Sequence, residues 1–194
     1  SPLYRADASG TSNVFSGYLA SVSPEFKEKI GRGVQPGWIT NVGSAAKGNE
    51  GVMGQVKQTP NTIGYVELTF AKTNNLPTAL IKNSSGNFIE ANLDSVSAAA
   101  AESIGRMPED LRVEITNAAG ANAYPIASYT YILLTREQKD AAKGKTLVDF
   151  LWWATHDGQA MVKDLYYAPL PKEVVAKVET RLKLVSNNGK QLRQ

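Results

Sequence analysis

Residues 128–135 read Ser-Tyr-Thr-Tyr-Ile-Leu-Leu-Thr, and no other stretch constrains the fold so strongly. The run has the residue types of a strand. Its unbroken apolar part predicts burial on both faces, as in a parallel or mixed sheet lying under helices. Strand-like and helix-like patterns alternate along the rest of the chain, which makes α/β the expected class.

Leu3-Tyr4-Arg5 reads as the end of a strand. A helix is expected from Thr11, with Val14, Phe15, Tyr18, Leu19 and Val22 on one face. Ser23-Pro24 reads as an N-cap followed by proline at the first helical position, opening a short helix that stops at Gly31. Residues 49–58 predict a helix ended by Thr59-Pro60, residues 62–68 a strand, and residues 81–90 a hairpin turning at Ser85-Gly86-Asn87. Ser95 starts an alanine-rich helix running to Ile104. Residues 111–116 predict a strand and residues 117–125 a loop. A helix is expected over 145–158. The last helix begins after Pro171, with Val174, Val175, Val178, Leu182 and Val185 as its buried stripe. The polar tail after Ser186 is expected to fray. A chain of 194 residues holds one or two domains, and residues 117–123 are the candidate crossing between them.

Charge excludes one class of partner. Twenty-one Lys and Arg oppose 18 Asp and Glu, a net charge of +3, and no basic run with interleaved aromatics marks a nucleic-acid site. There is no cysteine, so neither disulfides nor thiolate metal sites can form. No apolar run approaches the ~20 residues of a membrane-spanning helix. The opening Ser-Pro-Leu-Tyr-Arg-Ala-Asp has neither the basic start nor the apolar stretch of a secretory leader. From these residues either the protein is cytosolic, or a targeting segment was removed with whatever preceded Ser1.

The chemistry concentrates in residues 5–12, Arg-Ala-Asp-Ala-Ser-Gly-Thr-Ser. Side chains two apart on an extended segment share a face, so Asp7 can hold the Arg5 guanidinium in one orientation. An arginine fixed in this way presents donors to a carboxylate, sulfate or phosphate. Ser9, Gly10 and Thr11 fall at a helix start, where the first backbone N–H groups lack partners inside the helix and the macrodipole favours negative charge. Gly10 permits close backbone approach, and the Ser9 and Thr11 hydroxyls add donors. Together these residues can form an anion site. The same letters also serve as ordinary N-cap vocabulary, and an Arg-x-Asp pair can be a plain surface salt bridge. The GxxxxGK[ST] nucleotide loop is absent.

The remaining candidates read as structural. His156 is the only histidine and has no serine or cysteine partner in a recognisable motif, so catalysis through it is not expected. Trp152 and Trp153 are expected to pack, one inward and one partly outward. Lys47-Gly48-Asn49-Glu50-Gly51 is a second glycine-rich turn before a helix. It reads as a turn that orients the helix rather than as another anion-facing end. Glu67, Glu90, Glu114 and Asp164 have no metal-ligand spacing.

Three motifs then carry a resemblance. "RADASGTSNVFSGYLASVSPEFKEKIG", "KGNEGVMGQVKQTPNTIGYVEL" and "AYPIASYTYILL" occur in the order found in the phosphate-binding protein of the bacterial high-affinity phosphate ABC transporter, and the likeness continues to "LYYAPLPKEVV". The resemblance implies a periplasmic-binding-protein-like (type II) α/β fold, with two lobes of mixed sheet flanked by helices. Residues 1–118 would form the main part of the second lobe and residues 119–194 the C-terminal part of the first. It implies phosphate contacts from Arg5, Ser9, the Gly10 amide and Thr11, with Asp7 bracing Arg5. It further implies a receptor outside the cytoplasmic membrane that works with a transporter permease, without catalysis, metal or cofactor. The family usually has glycine where Ala8 stands, so positive φ is not expected there. The family also carries an N-terminal portion ahead of this motif, including an aspartate that accepts the proton of bound phosphate and so selects against sulfate. This chain therefore resembles the C-terminal portion, and a companion segment or separate chain is expected to complete the cleft. The alternative is a fragment acting as an interaction scaffold without tight affinity.

Overall fold

The computed structural model describes residues 1–39 and 41–193. β1 (Leu3–Arg5) pairs in parallel with β2 (Ser44–Ala46), Leu3 opposite Ser44 and Arg5 opposite Ala46. A parallel pair needs a crossover, and here it contains α1 (Gly10–Val22) and α2 (Pro24–Lys29). α3 (Gly48–Gln58) follows β2 at once and packs the fully buried Val52 against Leu3 and Ala46. α4 (Leu68–Thr73) comes next, then an antiparallel hairpin of β3 (Ile81–Lys82) and β4 (Phe88–Ile89), and α5 (Leu93–Ala101). Beyond an irregular stretch lie α6 (Ala141–Thr155), α7 (Gln159–Val162), α8 (Lys172–Leu182) and a closing pair, β5 (Ser186–Asn187) and β6 (Lys190–Gln191). Helices mixed with small sheets make this the expected α/β architecture in incomplete form.

The local signals act as their chemistry requires. The Ser23 hydroxyl accepts from the Phe26 amide at 3.1 Å with Pro24 at the first helical position, and Gly31 ends the segment at φ +76°. The hairpin turns where expected, with Gly86 at φ +88°. Asn92 and Ser95 form a reciprocal capping box that starts α5. Of the expected stripe, Val174 and Leu182 are buried on α8 and Val185 just beyond its end, while Val175 and Val178 are half-buried. The buried face of α1 differs from the apolar stripe: Ser12 and Ser16 are fully buried, whereas Val22 is 51% exposed. Small serines let residues 32–34 run close by. Gly33 N–H donates to the Ser16 hydroxyl at 3.2 Å, and a Cβ on Gly17 would come within 3.1 Å of the Arg32 side chain.

Three expected strands do not form. Residues 62–68 make one bridge, Ile63 to Pro2, and then turn into α4. Residues 111–116 and 128–135 form no ladder. They meet through the Tyr131 phenol, which accepts from the Val113 amide at 3.1 Å and donates to the Val113 carbonyl at 2.9 Å. The burial expected of this run fails as well, with Ile132 67% and Leu133 96% exposed. The two segments run side by side, with Thr116 Oγ1 donating to the Ala127 carbonyl and the Asn117 amide to the Pro125 carbonyl, but their backbones form no strand ladder.

The tail also departs from expectation. It does not fray but folds back as β5 and β6 around Asn188 and Gly189, both with positive φ, the geometry favoured in two-residue hairpins. Val148, Leu151, Leu182 and Val185 make the core under it. A separate core joins Ala99 and Ala100 of α5 to Ile115, Ala118, Ala123 and Ala127. The buried Asn83 amide secures that loop by donating to the carbonyls of Gly120, Ala121 and Ala123.

Gly64 offers a direct test of packing beside β1. A Cβ there would meet Val52 Cγ1 at 2.7 Å and Val56 Cγ2 at 3.3 Å. Gly64→Ala is expected to cost about 1–3 kcal/mol through overpacking. Urea unfolding should show that Val52→Ala added to Gly64→Ala costs less than the sum of the two single changes. Additive costs would mean that the two side chains do not compete for this space.

Candidate anion-binding site

Arg5 ends β1, and its side chain is only 10% exposed. Asp7, two residues on, grips it along one edge: Nε donates to Oδ1 at 2.9 Å and Nη2 to Oδ2 at 2.5 Å. Gly48 N–H, at the start of α3, donates to the same Oδ1 at 3.0 Å. The Arg5 hydrogen bonds, and after them the Gly48 amide, push the Asp7 carboxyl far below its ordinary value. The pair also raises Arg5, which stays charged. A third guanidinium bond runs from Nη1 to Asn49 Oδ1 at 3.3 Å. One N–H on each terminal nitrogen is left without a partner among the described residues.

The helix start lies next in sequence. Ser9 is the N-cap of α1 in extended conformation, and its hydroxyl oxygen accepts from the Ser12 amide at 3.2 Å. Its own proton therefore remains available to donate. Asn13 N–H bonds to the Ser9 carbonyl. Among the described residues, the amides of Gly10 and Thr11 find no acceptor. A Cβ on Gly10 would meet nothing within 4 Å, so the space before these amides is open. Ala8 is not among the residues with positive φ, in keeping with its side chain.

One phenol joins the two halves of this arrangement. Tyr65 OH accepts from Arg5 N–H at 3.1 Å and shares a 2.7 Å hydrogen bond with the fully buried Ser12 hydroxyl. Tyr65 stacks on Phe15 with ring centroids 4.5 Å apart, and Trp38 lies beside it at 5.9 Å. Strand, helix start and aromatic layer are thus joined through one side chain. Sequence reasoning missed Tyr65, because residues 62–68 read as a strand whose side chains simply alternate.

Sequence reasoning also missed Asn49 and the role of Glu67. Asn49 is 9% exposed. Its Oδ1 accepts from Arg5 Nη1 and, at 3.4 Å, from the Glu67 amide, while its Nδ2 donates to Glu67 Oε1 at 3.2 Å. The turn at residues 47–51 therefore orients α3, as expected, and also braces Arg5. The only available signal was the position of a polar residue behind a glycine at a helix start.

The other candidates are structural. His156 caps α6, stacks on Trp152 at 4.4 Å, and sets its ring nitrogens against the Trp152 carbonyl (2.7 Å) and Glu179 (3.0 Å). Trp152 packs against the C-terminal core and carries Arg193 over its ring at 4.0 Å, while Trp153 is 44% exposed. Glu90 pairs with Lys72 and Glu114 with Arg32.

The chain belongs to the PBP superfamily, whose domain profile matches residues 1–156. It is 39% identical over 177 residues to the phosphate-binding protein PstS of Xylella fastidiosa, covering 91% of this chain and 48% of that one. It is 36% identical over 194 residues to PstS of Pasteurella multocida, covering 99% and 56%, and 36% identical over 190 residues to PstS of Methanocaldococcus jannaschii, covering 89% and 48%. The chain thus spans about half the length of the curated relatives it matches, and the match falls on their C-terminal portion.

The Asp7 linkage has a defined pH signature. A carboxyl whose folded value is depressed stabilises the fold above its unfolded value, near 3.8, and loses that contribution as pH falls through the folded value. Urea unfolding of the chain and of Asp7→Asn should therefore differ by a constant amount above about pH 5 and converge below about pH 4. A difference unchanged down to pH 2 would mean that the ion pair contributes nothing.

Proposed function

We propose that this chain supplies one wall of an inorganic-phosphate site in the substrate-binding component of a phosphate ABC transporter. Arg5, Ser9, Gly10 and Thr11 are the donors to the oxyanion, and Asp7 holds Arg5 in place. The observation that carries this is the Arg5 guanidinium, bound on one edge by Asp7, next in sequence to the unpaired Gly10 and Thr11 amides. The outer N–H of each Arg5 terminal nitrogen and the Gly10 and Thr11 amides have no competing acceptor among the described residues. No catalytic step is required: the ligand is captured and released unchanged. The receptor works outside the cytoplasmic membrane and passes phosphate to a permease.

Asp7 is committed to structure, since both of its oxygens accept from Arg5 and one also from Gly48, and the proton acceptor that would select phosphate is assigned elsewhere. A site built only of donors takes either ion. The proton acceptor belongs to the companion N-terminal portion, on the same polypeptide or a separate one. That portion also covers the apolar surface at Ile132 and Leu133, beside a cavity of about 400 Å³ lined by Leu111, Tyr131, Leu134, Leu151 and Val178. Residues 1–118 form most of one lobe and residues 119–194 part of the other, with the chain crossing near residues 117–123.

Calorimetry with inorganic phosphate tests this, with and without a companion polypeptide matching the N-terminal portion of the relatives. Binding is expected once the companion is present. Arg5→Ala should weaken it about a hundredfold or more, since two charge-assisted hydrogen bonds of ~1.5–3 kcal/mol each are lost. No heat in the presence of the companion, or an Arg5→Ala protein that binds as the parent does, would overturn the proposal.

A further inference from the structure

Behind Arg5, on the side away from Asp7, runs a chain of hydrogen bonds that a binding site made only of donors does not require. Arg5 Nη1 donates to Asn49 Oδ1 at 3.3 Å, Asn49 Nδ2 donates to Glu67 Oε1 at 3.2 Å, and the Tyr167 hydroxyl donates to Glu67 Oε2 at 2.9 Å. The Asn49 amide can lie only one way. Its oxygen faces two N–H donors, Arg5 Nη1 and the Glu67 backbone, and its nitrogen faces a carboxylate. A flipped amide would set donor against donor and acceptor against acceptor. Asn49 is 9% exposed, so solvent cannot readily replace a lost partner. Glu67 is in turn held at both oxygens, one by Asn49 and one by Tyr167. Tyr167 lies 100 residues away in sequence, in the loop between α7 and α8. Burial, and after it the Glu67 carboxylate, raises its phenol above the ordinary value, so it remains a donor.

From this geometry we propose that Asn49, Glu67 and Tyr167 are a positioning relay for the anion site. The relay sets the third bond of the Arg5 head group and couples its orientation to the seating of the C-terminal segment. It rests on the reading of Arg5 as a phosphate ligand. It also fixes where an acid sits. Glu67 is close enough to raise Arg5, and donors at both oxygens hold its carboxylate against Asn49 and Tyr167. When the C-terminal segment moves, Tyr167 leaves Glu67, the Asn49 amide loses its anchor, and Arg5 loses one of three fixed bonds. Anion affinity and lobe position are then linked, as a receptor that must release its ligand requires.

The test is a double-mutant cycle on phosphate affinity, read by calorimetry on the full protein with the companion portion included. The melting midpoint of each variant is measured without phosphate. Tyr167→Phe removes one exposed hydroxyl and does not threaten folding. It is expected to weaken phosphate binding about threefold with the midpoint unchanged, and Asn49→Ala about tenfold. The double variant should bind no more weakly than Asn49→Ala alone, because the phenol acts only through the asparagine. Glu67→Gln, which keeps an acceptor oxygen, should recover part of what Glu67→Ala loses. If the parent binds phosphate and Tyr167→Phe binds equally well, or if the two single effects simply multiply, the relay is wrong while the phosphate site stands. If the parent binds no phosphate, both fall.

Discussion

A cation placed where water reaches it poorly must be answered by an anion or by several acceptors, or it does not stay there. At Arg5 both answers are present. Asp7 takes the Nε edge and Asn49 takes Nη1, and much of the surrounding chain is arranged by that requirement. β2 brings α3 to its place, because the Gly48 amide must reach Asp7. The turn before α3 is tight, with Gly48 at φ +71°, a conformation that a residue with a Cβ seldom adopts. Tyr65 receives the Arg5 backbone and passes the constraint to the first turn of α1 through Ser12. A two-stranded parallel sheet of three residues per strand would be a weak scaffold alone. This network of polar contacts gives it a fixed geometry.

The proposed anion site contains two acids, and each has partners. Asp7 and Glu67 would both oppose a negative ligand if their charges were free. Asp7 is matched by the guanidinium it holds, so the pair is neutral as a unit while directing N–H groups outward. Glu67 is matched by hydrogen bonds at each oxygen. The donors left without a protein acceptor among the described residues are the Gly10 and Thr11 amides and the outer hydrogens of Arg5. Dipoles fixed in place need not reorganise when an ion arrives. A net charge of +3 on 194 residues is therefore no obstacle to binding an anion.

How much of this was legible in the sequence depended on whether the cause was local. The Ser23-Pro24 cap, the Gly86 turn and the stripe of α8 are set by residues a few positions apart, and they are where their chemistry puts them. The Arg5–Asp7 pair was legible because residues two apart on extended backbone must share a face. Tyr65, Asn49, Glu67 and Tyr167 act across separations of 18 to 100 residues, and no spacing rule announces such contacts. Asn188-Gly189 is a different case. It is a strong hairpin signal, and the polar composition around it concealed it. Residues 62–68 misled because alternation suits a strand and a bridge equally well. The path of the chain beyond Ile63 was decided by the helix that Leu68 to Thr73 can form.

The failure at residues 128–135 has another origin. The run has the composition of a strand buried on both sides, yet Leu133 lies 96% exposed. A central parallel strand gains its stability from ladders on each side and helices above and below, and composition records that destination whether or not the neighbours are present.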